Sequence, residues 1–179
     1  MNRILPGIHS LKQHLNQLKQ DPEVYRPIRC PHCGKGDLWS HGHYLRKADR
    51  EGKDGVYLDP VPILRYYCSG CRRSCSRLPS CIAPRRWYLW AIQQVVLELV
   101  LGGAAFRKAA REHPPGRRTI SRWWHRLHEQ FTDYNFHLRS RFPELGHHDS
   151  PEAFWSACLH QMPLVNAMAV LDQQAVIVP

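Results

Sequence analysis

The spacing of hydrophobic residues predicts one amphipathic helix, followed by a stretch of strands and turns. Leu11, Leu15 and Leu18 recur at helical spacing within Ser10–Gln20, where Ser10 is a suitable N-cap and Asp21-Pro22 ends the pattern. From residue 26 to 81 the pattern changes to short aromatic runs. Two of them, Trp39–Leu45 and Pro62–Cys68, are predicted strands, and the polar, glycine-containing segment Asp49–Asp59 between them is a predicted loop.

From about residue 86 onward the pattern is helical. Gly102-Gly103 ends the first helix, and the segment His113-Pro114-Pro115-Gly116 forms a turn because consecutive prolines cannot continue a helix. Thr119 is the predicted cap of the third helix. Residues 163–179 show no decisive pattern. The predicted helices are Trp87–Leu101, Ala104–Glu112, Thr119–Arg141 and Pro151–His160.

Four of the seven cysteines form two Cys-x-x-Cys pairs, Cys30/Cys33 and Cys68/Cys71, with 34 residues between them. Each pair places two thiolates on one tight turn, and two such turns complete the tetrahedral sulfur shell of a structural zinc ion. The N-terminus lacks the apolar core of a secretion signal, so we expect reduced thiols rather than disulfides. The sequence therefore predicts one structural Zn²⁺ bound by Cys30, Cys33, Cys68 and Cys71.

Other interpretations of the cysteines and histidines remain open at this point. The four cysteines are alternatively buried or redox-active thiols, although a thioredoxin-like pair is disfavoured because no βαβ pattern surrounds it. We interpret Cys75 as a packed side chain, with replacement of a zinc ligand as the alternative. Cys81 and Cys158 are predicted to be buried or incidental. His41 and His43 share a strand face and suit a second metal site, but surface or packed histidines are the simpler interpretation.

Positive charge is concentrated in one part of the chain. The formal net charge is +10, and residues 85–128 contain nine Lys or Arg against Glu98 and Glu112, whereas residues 150–179 contain no Lys or Arg. Such a basic segment favours a polyanionic partner, either nucleic acid or an anionic membrane surface. No apolar run reaches the roughly 20 residues that a membrane span requires. The concentration of basic residues and the adjoining predicted zinc unit favour nucleic acid.

The basic segment has the order of a helix-turn-helix: a short helix, a tight turn and a longer helix that enters the major groove. Ile120, Trp123 or Trp124, and Leu127 give the longer helix an apolar stripe, and Phe106 and the neighbouring alanines give the shorter helix a matching face. Polar and basic residues occupy the remaining positions and are predicted to contact DNA. They are Arg107, Lys108, Arg117, Arg118, Ser121, Arg122, His125 and Arg126. The alternative is an ordinary helix pair with a solvated basic face.

These observations predict an α+β fold in which a β zinc ribbon precedes an all-α helix-turn-helix bundle. The predicted organisation is an N-terminal amphipathic helix over residues 1–25, a zinc ribbon over 26–84, a helix-turn-helix domain over 85–142 and a tail with a short helix over 143–179.

Several motifs resemble the zinc-ribbon domain of transposase-like bacterial proteins of the insertion-sequence type. They are Cys-Pro-His-Cys-Gly at 30–34, Trp-Ser-His-Gly-His-Tyr at 39–44, Pro-Ile-Leu-Arg-Tyr-Tyr-Cys-Ser-Gly-Cys at 62–71 and Ser-Arg-Leu-Pro at 76–79. The block Thr-Ile-Ser-Arg-Trp-Trp at 119–124 is similar to the helix-turn-helix that follows in such proteins. The resemblance implies that the four paired cysteines bind zinc and that the protein binds transposon-end or related DNA.

We therefore expect a non-catalytic, cytoplasmic and nucleoid-associated protein that binds double-stranded DNA. An RNase H-like catalytic domain does not fit into the 52 residues after Leu127, and their acidic residues form no cluster in the sequence. Partners are expected to be DNA and either a second copy of the chain or a transposition protein, with no membrane and no small-molecule substrate. Two alternatives remain: a truncated transposase or nuclease subunit that needs a catalytic partner, and a zinc ribbon that binds RNA or another protein.

Overall fold

The described residues of the computed structural model are 2–48, 58–84, 88–176 and 178, and they form a four-stranded sheet and seven α-helices. This mixed composition confirms the predicted α+β class. The chain divides into two compact units, Met1–Leu89, which contains the sheet, and Trp90–Pro179, which is helical.

The sheet has the strand order β1-β4-β3-β2, with β1 (Asn2–Leu5) parallel to β4 (Arg73–Pro79) and the other neighbours antiparallel. Strands β2 (Leu38–Arg46) and β3 (Val61–Cys68) confirm the two predicted aromatic strands. Strand β1 was not predicted from the sequence. Because β1 and β4 lie far apart in the sequence, only the tertiary structure brings this short segment to the sheet.

Helix α1 (Leu11–Gln20) has the predicted N-terminus and C-terminus. The Ser10 side chain accepts a hydrogen bond from the Gln13 N–H, and Asp21 is the C-cap before a 3₁₀ turn over Pro22–Tyr25. Leu11 packs with Val61, Ile63 and Leu78 in one of two apolar clusters of this unit. The other cluster includes Cys30, Cys68 and Cys75, so the cysteine turns are part of the core.

The second unit contains α2 (Trp90–Leu101), α3 (Phe106–Glu112), α4 (Arg117–Glu129), α5 (Phe131–Arg141), α6 (Pro151–Gln161) and α7 (Leu164–Gln173). Helix α2 packs against α6 and α7, while α3 packs against α4. Aromatic side chains fill much of the interior, including Trp90, Trp123, Tyr134, Phe154 and Trp155. Residues 143–179, predicted as a tail, thus contribute two helices to this core.

Two features of the predicted third helix were wrong. It begins at Arg117 with Gly116 as the N-cap, so Thr119 lies inside the helix and does not cap it. The single helix predicted over Thr119–Arg141 is divided at Gln130, whose φ of −100° and ψ of 10° leave the helical region. The apolar positions of α4 and α5 continue with helical spacing through this residue, so the sequence carries no signal for the break.

The remaining differences concern element ends. The predicted starts at Arg86 and Trp87 lie outside the described residues, and α2 begins at Trp90. Most of the predicted loop Asp49–Asp59 also lies outside them. Helix α6 confirms the predicted Pro151–His160 helix and is capped by the Ser150 side chain, whereas α7 was not predicted. Within the described ranges, no helix is both long enough and apolar enough to cross a bilayer.

Candidate metal centre and basic helix pair

Two similar backbone turns position the four paired cysteines. In the first turn the Gly34 N–H donates to the Cys30 carbonyl over 2.9 Å, and Gly34 has a φ of 74°. In the second turn the Arg72 N–H donates to the Cys68 carbonyl over the same distance, and Arg72 has a φ of 55°. Each turn therefore ends in the left-handed region directly after its second cysteine, which directs both sulfurs of the pair to the same side.

The four cysteine sulfurs converge on one point. Cys30 Sγ lies 3.7 Å from Cys71 Sγ, Cys33 Sγ lies 3.6 Å from Cys68 Sγ, and all four sulfurs lie within 4.8 Å of one another. These separations are far longer than the bond of about 2.05 Å in a disulfide. A tetrahedral zinc shell with Zn–S bonds of about 2.3 Å requires sulfurs about 3.8 Å apart, which matches the observed pairs. The tetrad therefore fits a tetrahedral metal ion.

Backbone amides direct partial positive charge at the sulfurs. Burial acts to raise the pKa of Cys30, but hydrogen bonds from the backbone N–H groups of His32 and Cys33, together with those from the Cys71 and Cys68 thiols, outweigh burial and lower that pKa to about 7. Burial raises the pKa of Cys71 to about 12, although the Arg73 N–H acts in the opposite direction. Cys30 and Cys71 thus differ strongly in their affinity for a proton. A cation among them would favour the thiolate form of each.

The other cysteines and the strand histidines do not join the tetrad. Cys75 packs beside Cys30 and Cys68 in the apolar core, and burial raises its pKa above the ordinary range. Cys81 packs against the other apolar cluster, and Cys158 is fully buried. In the described part of the chain, the tetrad is the only group of three or more metal-ligating side chains close enough to hold one ion. The second site considered for His41 and His43 therefore lacks a third ligand there.

Helices α3 and α4 pack through small and apolar side chains. Ala109 of α3 is completely buried, as is the stripe of Ile120, Trp123 and Leu127 on α4. At the edge of this contact, the Phe106 and Trp124 rings meet edge to face with their centroids 6.4 Å apart. The predicted matching apolar faces are therefore present, and the choice between the two tryptophans is settled: Trp123 is buried, whereas Trp124 is half-buried.

The eight residues predicted to contact DNA lie on α3 and α4. Ser121 and Arg126 are half-buried on the flanks of α4, and the other six are exposed. An open depression of 660 Å³ is lined by five residues of the pair, four of which belong to α4. The exposed six are Arg107, Lys108, Arg117, Arg118, Arg122 and His125, and the depression is lined by Phe106, Arg117, Arg118, Ser121 and Arg122.

The charges at the start of α4 are arranged unfavourably for the isolated helix. Arg117 and Arg118 lie in the first turn, which contains no acidic residue, and Gly116 provides no side-chain cap. The helix dipole places partial positive charge at this end, so two arginines there repel it. Within the described residues neither arginine forms an ion pair. An anion bound at this end of α4 would offset the repulsion between the arginines and the helix dipole, and it would accept hydrogen bonds from the uncapped backbone N–H groups.

Two residues that shape the cysteine site, Lys35 and Arg72, were not predicted from the sequence. The aliphatic part of Lys35 lies across Gly70 so closely that a Cβ on Gly70 would be 2.6 Å from Lys35 Cδ, and this contact joins the two turns. Arg72 occupies the left-handed position that Gly34 occupies in the first turn. The glycine in Cys-Pro-His-Cys-Gly signals the first position, but nothing in the sequence around Arg72 signals the second.

Comparison with known proteins identifies one family to which this chain belongs. No curated protein and no solved structure matches the chain. The family model described as a domain of unknown function (DUF6431) matches residues 30–123. This match covers just over half of the chain and runs from the first cysteine of the tetrad, through α3, to Trp123 of α4. The chain therefore belongs to the DUF6431 family.

Proposed function

We propose that this protein binds double-stranded DNA through α3 and α4, with α4 as the recognition helix of a helix-turn-helix, and that it is a non-catalytic factor associated with or derived from a mobile element. The observation that carries the proposal is the set of six exposed Lys, Arg and His side chains on this helix pair, without acidic partners within the described residues. Such a surface suits a phosphate backbone.

The angular arrangement of α4 supports its role as the recognition helix. At 100° per residue, Arg118, Arg122 and His125 project on the side opposite the buried stripe. These residues occupy the N-terminal and middle turns, which contact base edges in helix-turn-helix complexes. Arg122 suits bidentate pairing with guanine, and Ser121 and His125 suit further base contacts. Arg107, Lys108, Arg117 and Arg118 suit flanking phosphates.

The cysteine tetrad supports a structural zinc ion in the first unit, which would then be a zinc ribbon. Four sulfur ligands leave no open coordination position for water or substrate, so the ion would stabilise the fold rather than perform catalysis. Two of the ligands, Cys30 and Cys68, lie in the apolar core, so metal binding and packing of this small sheet are coupled.

The experiment that tests DNA binding compares two arginine variants of the full chain. A pool of random duplexes is selected for binding, and the affinity of Arg122→Ala for the selected duplex is measured by fluorescence anisotropy. We expect a loss of about 1–3 kcal/mol if Arg122 contacts a base. Arg141→Ala is the matched control, because Arg141 is exposed on α5, outside the helix pair. Equal affinities for the wild type and Arg122→Ala, or no duplex binding at low salt, would contradict the proposal.

A further inference from the structure

The outward face of the sheet presents aromatic rings beside the cysteine tetrad. Trp39 on β2 is 65% exposed and lies directly opposite Tyr67 on β3, which is half-buried. Residues opposite each other in an antiparallel pair extend from the same face of the sheet. The His41 ring adds a third aromatic surface, because its centroid lies 5.7 Å from that of Tyr67 with the planes inclined by 40°. The neighbouring pair Leu38 and Cys68 faces the core, so Cys68, a member of the tetrad, follows Tyr67 directly in the strand but lies on the opposite face of the sheet.

The edge of the sheet next to this face is poorly suited to receive another strand. Strand β2 is an edge strand, and its register shifts between Ser40 and His43, where Gly42 has a φ of 70°. Such an irregularity bends and twists the strand and interrupts its row of backbone hydrogen-bonding groups. A partner that adds a β-strand is therefore disfavoured here. The partner is therefore recognised mainly through the exposed rings of Trp39 and His41 and the accessible part of Tyr67.

The excess of positive charge in the first unit favours a polyanion. Its described residues 2–48 and 58–84 contain twelve Lys or Arg against four acidic residues, one of which, Glu23, is paired with Arg26. Arg65 lies on β3 two residues from Tyr67 and contacts Ser74 only weakly, with Arg65 Nη2 3.5 Å from Ser74 Oγ. Flat exposed rings combined with basic side chains form the platforms on which unpaired bases of single-stranded nucleic acids stack.

We infer that Trp39 and Tyr67 form a stacking platform for unpaired nucleobases, with Arg65 supplying positive charge for the phosphate backbone. The ligand class is single-stranded nucleic acid, either DNA or RNA. This site lies on the first unit and does not depend on duplex recognition by α3 and α4. It gives the protein a second surface for nucleic acid. This surface requires unpaired bases, because paired bases in a duplex cannot stack on the rings, whereas α3 and α4 are proposed to bind duplex DNA.

The test measures the binding of fluorescein-labelled twelve-residue oligothymidylate and oligouridylate to the full chain by fluorescence anisotropy. We expect Trp39→Ala to weaken binding of at least one of the two about tenfold, the effect of losing one stacked base. Trp39→Phe should retain most of the affinity, since it keeps an aromatic ring. Leu45→Ala is the matched control, because Leu45 is an exposed apolar residue on the same strand without an aromatic ring, and it should bind as the wild type does.

A second probe separates stacking from charge. An oligonucleotide of the same length with abasic sites keeps the phosphates and lacks the bases, so wild type and Trp39→Ala should bind it equally. The salt dependence of oligonucleotide binding should be the same for both proteins, because Trp39 carries no charge. Far-UV circular dichroism and metal content, unchanged in Trp39→Ala, show that the variant is folded.

The outcomes separate this inference from the duplex proposal. Loss of single-strand binding in Trp39→Ala, with duplex binding retained, supports the stacking platform. Whichever oligonucleotide the wild type binds more tightly, oligothymidylate or oligouridylate, identifies DNA or RNA as the ligand of the platform. Arg122→Ala should retain the difference between intact and abasic oligonucleotides even where duplex binding is lost. The inference is overturned if the folded Trp39→Ala variant binds both oligonucleotides as tightly as wild type, or if wild type binds neither, which would leave a protein surface as the partner of this face.

Discussion

Gly34 and Arg72 occupy equivalent positions in the two cysteine turns: each follows the second cysteine, has a positive φ and donates its N–H to the first cysteine's carbonyl over 2.9 Å. The two turns therefore share a backbone conformation although their sequences differ. In one turn this conformation is adopted by glycine, and in the other it is imposed on a residue with a Cβ.

The first prediction concerns Gly34. Gly34→Ala should lower the free energy of unfolding by about 1 kcal/mol, because an alanine is strained in the left-handed region. A Cβ at Gly34 would meet no atom within 4 Å, so the effect would isolate backbone strain. Urea denaturation of the metal-loaded protein measures it. The control Gly36→Ala, whose Cβ would lie 3.7 Å from the Ile28 carbonyl oxygen, should leave stability nearly unchanged. Equal losses at both positions would contradict this account of the turn.

The second prediction concerns the metal ligands. Cys33→Ser should abolish stoichiometric zinc binding, measured by elemental analysis of the purified protein, because a tetrahedral shell loses one thiolate. Cys33 is exposed, so the substitution removes little apolar packing. Cys75→Ser is the control: Cys75 lies in the core but outside the tetrad, so this variant should keep one zinc per chain even if its stability falls. Retention of zinc by Cys33→Ser would refute its assignment as a ligand.

The third prediction links stability and binding at the start of α4. Arg118→Ala should raise the free energy of unfolding by about 0.3–1 kcal/mol, because it removes a positive charge from the positive end of the helix dipole. It should also reduce the slope of log affinity against log salt for duplex DNA by about one, as one phosphate contact is lost. Thermal denaturation and anisotropy titrations over a salt series measure the two effects. If both quantities fell together, a structural role for Arg118 would be indicated instead.

The fourth prediction uses two adjacent tryptophans. Trp123→Ala should lower the free energy of unfolding by about 3–5 kcal/mol, since Trp123 is only 1% exposed and its removal leaves a large cavity. Trp124→Ala should cost clearly less, because Trp124 is half-buried between Phe106 and His128, with its ring centroid 4.4 Å from that of His128. Chemical denaturation compares the two variants. A larger loss for Trp124→Ala would mean that α3 packs on the other face of α4.

The fifth prediction concerns a buried histidine. His14 is completely buried: its Nε2–H donates to the Pro62 carbonyl over 2.9 Å, and its Nδ1 accepts from the Tyr25 hydroxyl over 2.6 Å. Burial lowers the pKa of His14, although the Pro62 carbonyl acts in the opposite direction. Below about pH 6.5, the ordinary pKa of histidine, the His14 imidazole therefore binds a proton in the unfolded chain but resists protonation in the folded chain. The contribution of neutral, buried His14 to the free energy of unfolding is fully present above that pH and is lost as the pH falls below it.

The measurement follows the free energy of unfolding between about pH 5 and pH 7.5 at saturating zinc. His14→Gln should show a shallower loss of stability toward low pH than the wild type. The control His43→Gln, at an exposed position on β2, should keep the wild-type slope. Parallel curves for His14→Gln and wild type would show that other groups produce the pH dependence.

The elements that the sequence predicted correctly are those whose signals are local. Ser10 caps α1 as expected because a short side-chain oxygen next to a helix start reaches a free N–H within the same few residues. The two Cys-x-x-Cys turns were predicted because the spacing alone determines how two sulfurs on one turn converge. The break at Gln130 had no such signal, because the apolar positions continue at helical spacing through it; on either side of the break, α4 packs against α3 and α5 packs against α7.

By itself, the sequence determined the mixed composition, the cysteine pairs, the apolar stripe of α4 and the basic residues around it, because each of these depends on residues within one or two turns of one another. Only the tertiary structure decided that the two distant pairs meet with sulfurs 3.6 and 3.7 Å apart, that β1 joins β4, and that Trp39 and Tyr67 share an exposed face. These contacts join residues far apart in the chain, and their formation depends on the packing of the whole unit rather than on local conformational preference.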